Sequence, residues 1–552
     1  MVSQAIDAKD ATTEGRPAPI RLRRAVTILV ILAALTIGGV HAVASHTQAS
    51  RAANFDEAEF LHATWLLSKH KVLYRDFSED HTPFLVAILR PLKPRRTTSE
   101  YPRLDVFTFL VRARTLIFIV GTLAAACAAL LAYRIARRPS AALIAGAAIV
   151  GSYLTWLRGI ADVRNDPPAL LLFWGGALLL LWDRKPSRAA ALRAGTGIAL
   201  ALVSAMWNPK WPLASAVLGL TYLFVVVSLW RRGTARLAVW ALVPPLVIPA
   251  AMSSIIFYYT SLRDYLFFTF NYNAAITSWF HTSRMVWRAF LNKPGFYNCP
   301  GIFKGLWPAL ACATVLCALA WPRVRSAWAG LDGFAAVVVL AIVAACGLEI
   351  RFIYPYPRLW PQYYLLWAFA LAVVYGLLPG ALMALWRALG PRVPWREVGV
   401  LALEGAIVIA TAVFYVRAMP GRLQSPQAQR YWKGVSYLQR ELRDDESVWI
   451  QPDSHPIAAF DASYYWFAFA DLIPASLSYS VTHPGNGFLP GIGDSDLPPC
   501  QLERGQTQRL RFVSASHHML DLPETHMCFE RLRSLGVLAP TPVPGVFEVR
   551  HP

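Results

Sequence analysis

Long apolar runs separated by short polar linkers recur along most of the chain. A bilayer needs roughly 17 to 25 apolar residues per helical crossing. The pattern predicts spans at about 26 to 44, 115 to 133, 140 to 157, 168 to 182, 190 to 206, 212 to 230, 237 to 258, 304 to 321, 331 to 349, 362 to 386 and 398 to 416. The fourth and fifth are marginal in length. Polar sequence up to about Arg24 precedes the first run, which is too long for a signal-peptide core and lacks a small-residue cleavage site. It is expected to remain as an uncleaved span.

About eleven crossings put the termini on opposite sides, and the arginines say which is which. Arg16, Arg21, Arg23 and Arg24 precede the first span; Arg134, Arg137 and Arg138 follow the second. Arg184, Lys185, Arg188, Arg193, Arg231, Arg232, Arg236, Arg323, Arg325, Arg387, Arg392 and Arg396 continue on the same side. The opposite short loops hold only Arg158, Arg164, Lys210, Arg351 and Arg358. By the positive-inside rule the N-terminal tail, 1–25, is cytoplasmic. The long polar segments 46–105, 259–303 and 418–552 then face the periplasm or its equivalent, around a transmembrane body at 26–417.

The C-terminal segment is long enough for a small domain of its own. A helix is predicted from Tyr431 to Arg443 and a strand over Ser447-Val448-Trp449-Ile450, followed by sequence rich in Pro, Gly and aromatics. The expectation is a polytopic α-helical membrane protein with a small external α/β domain.

Composition agrees: 56% of the 552 residues are hydrophobic, and the mean hydropathy of +0.39 is too high for a soluble enzyme. A net charge of +20 would suggest nucleic acid in a soluble protein. Here the arginines lie in linkers between spans and no basic face with interleaved aromatics stands apart, so no nucleic-acid partner is expected. Cys127, Cys312, Cys317 and Cys346 fall in apolar runs; Cys500 and Cys528 lie in the polar C-terminal segment, where an oxidising compartment would allow a disulfide.

Candidate chemistry concentrates outside the first span. Asn54-Phe55-Asp56-Glu57-Ala58-Glu59-Phe60 places three carboxylates within four positions, where charge must be solvated, paired or used. Asn54 with Glu57 also fits a helix N-cap and its partner three positions on, so capping and catalysis compete for these acids. Asp166 stands at the mouth of the fourth span in Arg164-Asn165-Asp166-Pro167, where a surface ion pair with Arg164 is the plain alternative. Lys210 lies in Trp207-Asn208-Pro209-Lys210-Trp211-Pro212, which also fits a snorkelling interfacial lysine. Arg351, Arg358, Tyr363 and Tyr364 flank the start of the tenth span and fit an interface belt. Together these positions gather carboxylates and cations at one membrane face, which suits a lipid phosphate with its head at the interface.

The first loop, with Tyr74-Arg75-Asp76-Phe77-Ser78-Glu79-Asp80-His81-Thr82-Pro83 after the acidic cluster, resembles the GT-C superfamily of membrane glycosyltransferases. The branch is that of protein O-mannosyltransferases and lipid A aminoarabinose transferases. Ala113-Arg114, Arg164-Asn165-Asp166-Pro167, Lys210 and Pro361-Gln362-Tyr363-Tyr364 look like further family positions, and the resemblance covers roughly residues 26 to 420. It implies transfer of a sugar, with inversion, from a polyprenyl-phosphate donor to an external glycan, lipid or protein acceptor. By analogy Asp56 is the base, Asp166 a second acid and Glu57 a further catalytic carboxylate. Lys210, Arg114, Arg164, Arg351 and Arg358 are candidates for the donor phosphate, and Asp80, His81 and Tyr363 for the cavity. His81 stands where relatives carry a base of another type, which leaves its part in phosphate binding open and introduces a pH-sensitive group. No metal or other cofactor is expected, although some members of the family use a divalent ion. The rivals are a transporter or lipid flippase, which places charges near the midplane, and a non-catalytic scaffold with an external binding domain.

Overall fold

The structure is a computed structural model that describes residues 17–74, 82–151, 156–182, 186–272, 332–349, 361–389, 396–418, 428–443, 446–450, 510–514 and 530–550. Helices are numbered along these residues. α1 (Pro17–Ala49), α4 (Val106–Ala136), α5 (Pro139–Gly151), α6 (Asp166–Leu180), α7 (Arg188–Trp207), α8 (Pro212–Arg231) and α9 (Ala235–Tyr259) form the first part of the bundle. α11 (Gly333–Leu348), α12 (Leu365–Leu389) and α13 (Arg396–Ala418) complete it.

Among the described residues five helices are long and apolar enough to cross a membrane: α4, α7, α8, α9 and the Leu22–Ala49 part of α1. Shorter apolar segments lie in α5, α6, α11, α12 and α13. The fifth expected span, marginal in the sequence, is one of the five long helices, whereas the fourth runs for only 15 residues. The expected span at 304–321 lies outside the described residues, as does the loop 273–303. Large apolar side chains cover outward faces: Ile28, Ile31, Leu32 and Leu35 on α1, Leu220, Leu223 and Phe224 on α8, and Leu246 and Val247 on α9 are exposed. Apolar surface of this extent marks contact with lipid. The chain is an integral membrane protein built mostly of helices.

Between helices, small residues bring backbones together. A Cβ on Gly197 of α7 would lie 2.6 Å from the carbonyl oxygen of Gly176 on α6. Close approach of this kind is how apolar helices associate where burial from water cannot drive them.

Polar contacts define two ends of the bundle. At one end Arg134 pairs with Asp332 at 3.2 Å, Arg138 with Glu404 at 2.9 Å, and Arg188 stacks on Trp240 at 3.8 Å. These link the end of α4 to the starts of α11 and α13, and the starts of α7 and α9 to each other. At the other end Thr82 Oγ1 donates to Trp207 O at 2.8 Å and Tyr265 donates to Met206 O at 3.2 Å. The second end carries the excursion between α1 and α4.

That excursion contains α2 (Phe55–Ser68) and α3 (Pro83–Leu89). α2 begins with a reciprocal capping box, Asn54 Oδ1 accepting from Glu57 N at 3.0 Å and Glu57 Oε2 from Asn54 N at 3.1 Å. This arrangement satisfies donors that the first helical turn leaves unpaired. A π-helical turn, Leu157–Ala161, follows α5 and delivers the chain to α6. A short helix, α10 (Leu262–Leu266), follows α9.

α14 (Ala428–Glu441), close to the predicted helix, packs on the same end. Trp432 Nε1 donates to Ser50 O at 2.7 Å, and Ser436 Oγ to Glu100 O at 3.2 Å. Beyond it a four-stranded mixed sheet has the order β1-β2-β4-β3, from β1 (Ser447–Ile450), β2 (Leu510–Ser514), β3 (Leu538–Pro540) and β4 (Val546–Val549). β1 coincides with the predicted strand and pairs in parallel with β2. Cys500 and Cys528 lie outside the described residues.

Candidate functional site

Four separate stretches of chain, around residues 51–57, 114, 162–166 and 208–210, converge where α1 ends and α4, α6 and α8 begin. Each of them carries a polar residue that could not sit in lipid unpaired. The result is a charged network of Arg51, Arg114, Arg164 and Lys210 with Asp56, Glu57, Asp162 and Asp166.

Glu57 is its most enclosed member. Its carboxylate accepts from Arg114 Nε at 2.8 Å and Nη2 at 2.6 Å, Arg51 Nη2 at 3.3 Å, Val163 N at 3.2 Å and the Asn54 backbone N–H. Burial pushes the Glu57 carboxyl up, but Arg114 and Arg51 outweigh it and hold it down at about 2. Arg51 also forms an ion pair with buried Asp162. Burial disfavours its charge, and the two acids beside it more than offset that.

Arg114 is placed differently from the sequence expectation. Besides the bidentate contact with Glu57, its Nη1 and Nη2 donate to the carbonyls of Ala49, Arg51 and Ala52 at 2.9, 2.8 and 2.9 Å, and to Gln48 O at 3.4 Å. Every guanidinium nitrogen is engaged within the protein, so Arg114 closes the end of α1 onto α2 and leaves no N–H for a donor phosphate. A guanidinium fits this role because its planar fork serves a carboxylate and several carbonyls at once.

A second chain of charges runs alongside. Asp56, one position before Glu57, points the other way and forms an ion pair with Arg164. Arg164 Nε also meets Asp166 Oδ2 at 3.2 Å, and Asp166 Oδ1 accepts from Asn208 Nδ2 at 2.9 Å and Lys210 Nζ at 3.1 Å. Lys210 Nζ stands 5.5 Å from the centre of the Tyr363 ring. The order is therefore Asp56, Arg164, Asp166, Lys210, with charges alternating. Arg164 and Asp166 are buried rather than forming the surface pair that their spacing suggested, and Lys210 reaches an acid instead of simply snorkelling. Asp56 retains 26% exposure of its side chain, against 0 to 1% for Glu57, Asp162 and Asp166.

The surroundings fix this row from behind. A Cβ on Gly121 of α4 would lie 2.6 Å from Ile160 Cα and 2.8 Å from Gly159 O, so α4 backs directly onto the π turn that leads to Asp162 and Arg164. Glu349, which caps α11, accepts from the backbone N–H of Leu213 and from that of Ala214 at 3.0 Å. A carboxylate at the start of α8 satisfies free N–H groups and complements the helix dipole. It anchors the helix that Lys210 precedes.

Asp56, Glu57, Arg114, Arg164, Asp166, Lys210 and Tyr363 are thus brought to one end of the bundle. Asp80, His81, Arg351 and Arg358 lie outside the described residues. Arg51, Asp162, Asn208 and Glu349 were not singled out in the sequence. Arg51 and Asp162 had one legible signal each, a charge beside a span without a local partner, while nothing local marks Asn208 or Glu349.

No protein-family model matches the chain, and no curated protein matches it. Among solved structures it is similar to ArnT from Cupriavidus metallidurans bound to undecaprenyl phosphate, at 13% identity over 77% of this chain and 84% of that one, with a TM-score of 0.45. The apo form of the same protein gives 13% identity over 93% and 97%, with a TM-score of 0.49. Arabinosyltransferase EmbB from Mycobacterium smegmatis gives 14% identity over 78% of this chain and 41% of that one, with a TM-score of 0.38. Likeness at this level assigns no chemistry, which has to come from the charged site itself.

Proposed function

We propose that the chain is a GT-C-type integral membrane glycosyltransferase that moves a sugar from a polyprenyl-phosphate donor to an acceptor on the extracytoplasmic face, with inversion. Asp56 takes the proton from the acceptor's nucleophilic atom as that atom bonds to the anomeric carbon. The bond from that carbon to the phosphate oxygen breaks, and its electron pair leaves with the polyprenyl phosphate. General-base help of this kind is worth on the order of 10²- to 10⁴-fold in rate.

The observation that carries this assignment is the difference between neighbouring carboxylates. Asp56 keeps a partly exposed side chain, while Glu57, Asp162 and Asp166 are enclosed among cations and polar donors. Glu57 is accordingly assigned to the frame, as is Arg114. Arg164, buried between Asp56 and Asp166, orients both. Lys210, with 17% of its side chain exposed, is the cation best placed to meet the leaving phosphate. Its charge counters the one that develops there, in a site already arranged for it. Location of these charges at one end of the bundle, not at mid-membrane, favours a transferase over a transporter.

The test is transfer from a panel of radiolabelled polyprenyl-phosphate sugars by membranes containing wild type, Asp56→Asn or Asp166→Asn, with thermal stability measured beside it. Wild-type transfer that collapses in a stably folded Asp56→Asn protein supports the assignment. Transfer that survives this change removes Asp56 as the base.

A further inference from the structure

Asn165 occupies the N-cap position of α6, where an Asn side chain ordinarily accepts from the backbone N–H two or three positions on. Here those positions are Pro167 and Pro168, and proline has no N–H. The usual cap bond is therefore closed to this side chain by the sequence itself. Asn165 accordingly takes a helical conformation, φ −68° and ψ −23°, with no side-chain cap bond, and its carbonyl joins the helix by accepting from Ala169 N at 3.3 Å.

The fold finds no other use for the amide. Asn165 is only 3% exposed, and its Oδ1 has no hydrogen-bond partner among the described residues. The residues on either side are engaged, Arg164 with Asp56 and Asp166, and Asp166 with Asn208 and Lys210. Native proteins leave few buried polar groups unpaired, and those that remain are explained by function or by a small molecule that fills the gap. An apolar side chain would serve an inert buried position at lower cost.

A second observation comes from the stretch that Asp166 reaches. Trp207 and Trp211 flank Lys210; both are buried, and the indole Nε1–H of each has no partner among the described residues. Asp166 ties this stretch to Asn165 through Asn208 at 2.9 Å and Lys210 at 3.1 Å. One polar cluster thus holds an unmet acceptor and two unmet donors beside the lysine assigned to the leaving phosphate. Those kinds narrow the ligand. Phosphate oxygens can accept from an indole N–H, but an ionised phosphodiester has no proton to give to Oδ1. A sugar hydroxyl both donates and accepts.

We propose that Asn165 is a specificity-determining residue that reads the transferred sugar, its Oδ1 accepting a hydrogen bond from one ring hydroxyl of the polyprenyl-phosphate donor. The proposal rests on the transferase reading above and adds to it the group that selects the sugar. A site built to bond a hydroxyl discriminates against a ligand that lacks it, because the protein's own polar group is then left unpaired.

The test uses the full-length protein in a mild detergent, wild type and Asn165→Leu. The probes are undecaprenyl phosphate and its glucose, mannose and arabinose esters, each ester also as its monodeoxy analogues. Affinities are measured by native mass spectrometry and the melting temperature is recorded. Ligand-free Asn165→Leu is expected to melt no lower than wild type, since no hydrogen bond is lost. Wild type is expected to bind one sugar ester more tightly than undecaprenyl phosphate and to lose about tenfold in affinity for a single monodeoxy analogue of it, the worth of about one hydrogen bond. Asn165→Leu is expected to lose the same factor for the parent ester, to lose nothing further for that analogue, and to bind undecaprenyl phosphate as wild type does. A merely structural role would not link the substitution to one hydroxyl. Equal binding of every ester by the two proteins overturns the proposal and leaves the gap to water, as does a wild type indifferent to every deoxy position. Weakening of undecaprenyl phosphate by the same factor as the ester also overturns it. A wild type that binds neither undecaprenyl phosphate nor any ester removes the polyprenyl-phosphate reading itself, and this proposal with it.

Discussion

Arg114 grips Glu57 with two nitrogens, at 2.8 and 2.6 Å, and both side chains are enclosed within the protein. Removing one partner of a buried pair leaves the other uncompensated, at a cost of about 3–5 kcal/mol. Glu57→Gln and Arg114→Ala are therefore expected to lower the melting temperature of the purified protein strongly. Asp56→Asn is expected to leave it nearly unchanged, because Asp56 is partly solvated and its amide analogue still accepts from Arg164. Equal destabilisation by Asp56→Asn and Glu57→Gln would contradict the division of the two acids into a site and a frame.

The same contact sets a dependence on pH. The Glu57 carboxyl is held at about 2 against an ordinary value of 4.5, so folding favours its charged form. The resulting stabilisation is fully present above pH 4.5 and is lost as pH falls towards 2, and it amounts to on the order of 3 kcal/mol. Wild type is expected to lose stability through this window, while Glu57→Gln, already deprived of the charge, changes less. The gap between their melting temperatures should narrow from pH 6 to pH 3; a constant gap would mean that another group governs acid stability.

Legibility of this site in the sequence followed distance along the chain. Asn54 and Glu57 are three positions apart, and their capping box was readable because helix geometry alone joins them. Asp56 and Glu57 were not distinguishable, since their separation into exposed and enclosed roles is decided by Arg114 and Val163, far away in the sequence. Arg164 and Asp166 looked like a surface pair because local spacing carries no burial. Arg114 looked like a phosphate ligand because its four carbonyl partners are invisible in the sequence. The apolar runs were readable from bilayer thickness, yet the π turn at Leu157–Ala161, which starts where the third run was expected to end, has no comparable composition signal.

That turn gives a third prediction. Gly121 meets the backbone of Gly159 and Ile160 at distances no Cβ can tolerate, and backbone cannot swing aside as a flexible side chain can. Gly121→Ala is expected to cost about 1–3 kcal/mol through overpacking. It should also reduce transfer by displacing Asp162 and Arg164, although Gly121 touches no charged group. A melting curve and a transfer assay on the same preparation check both parts. Full activity with unchanged stability would show that α4 and the turn can separate without disturbing the charges.

Lys210 permits the sharpest separation of binding from chemistry. Its ammonium meets Asp166 at 3.1 Å, but Asp166 also accepts from Arg164 and Asn208, so the acid keeps two partners when the lysine charge is removed. Lys210→Met preserves an unbranched side chain and is expected to leave the fold largely intact. If Lys210 stabilises the charge of the departing phosphate, its loss acts mainly in the transition state, and kcat should fall about 10²- to 10³-fold. A rise in the donor KM with kcat unchanged would instead make it a ground-state ligand. Unchanged values of both constants would leave Lys210 as a structural partner of Asp166 and return the search for the phosphate cation to the arginines. Initial rates across a range of polyprenyl-phosphate sugar concentrations, for wild type and Lys210→Met, decide between these outcomes.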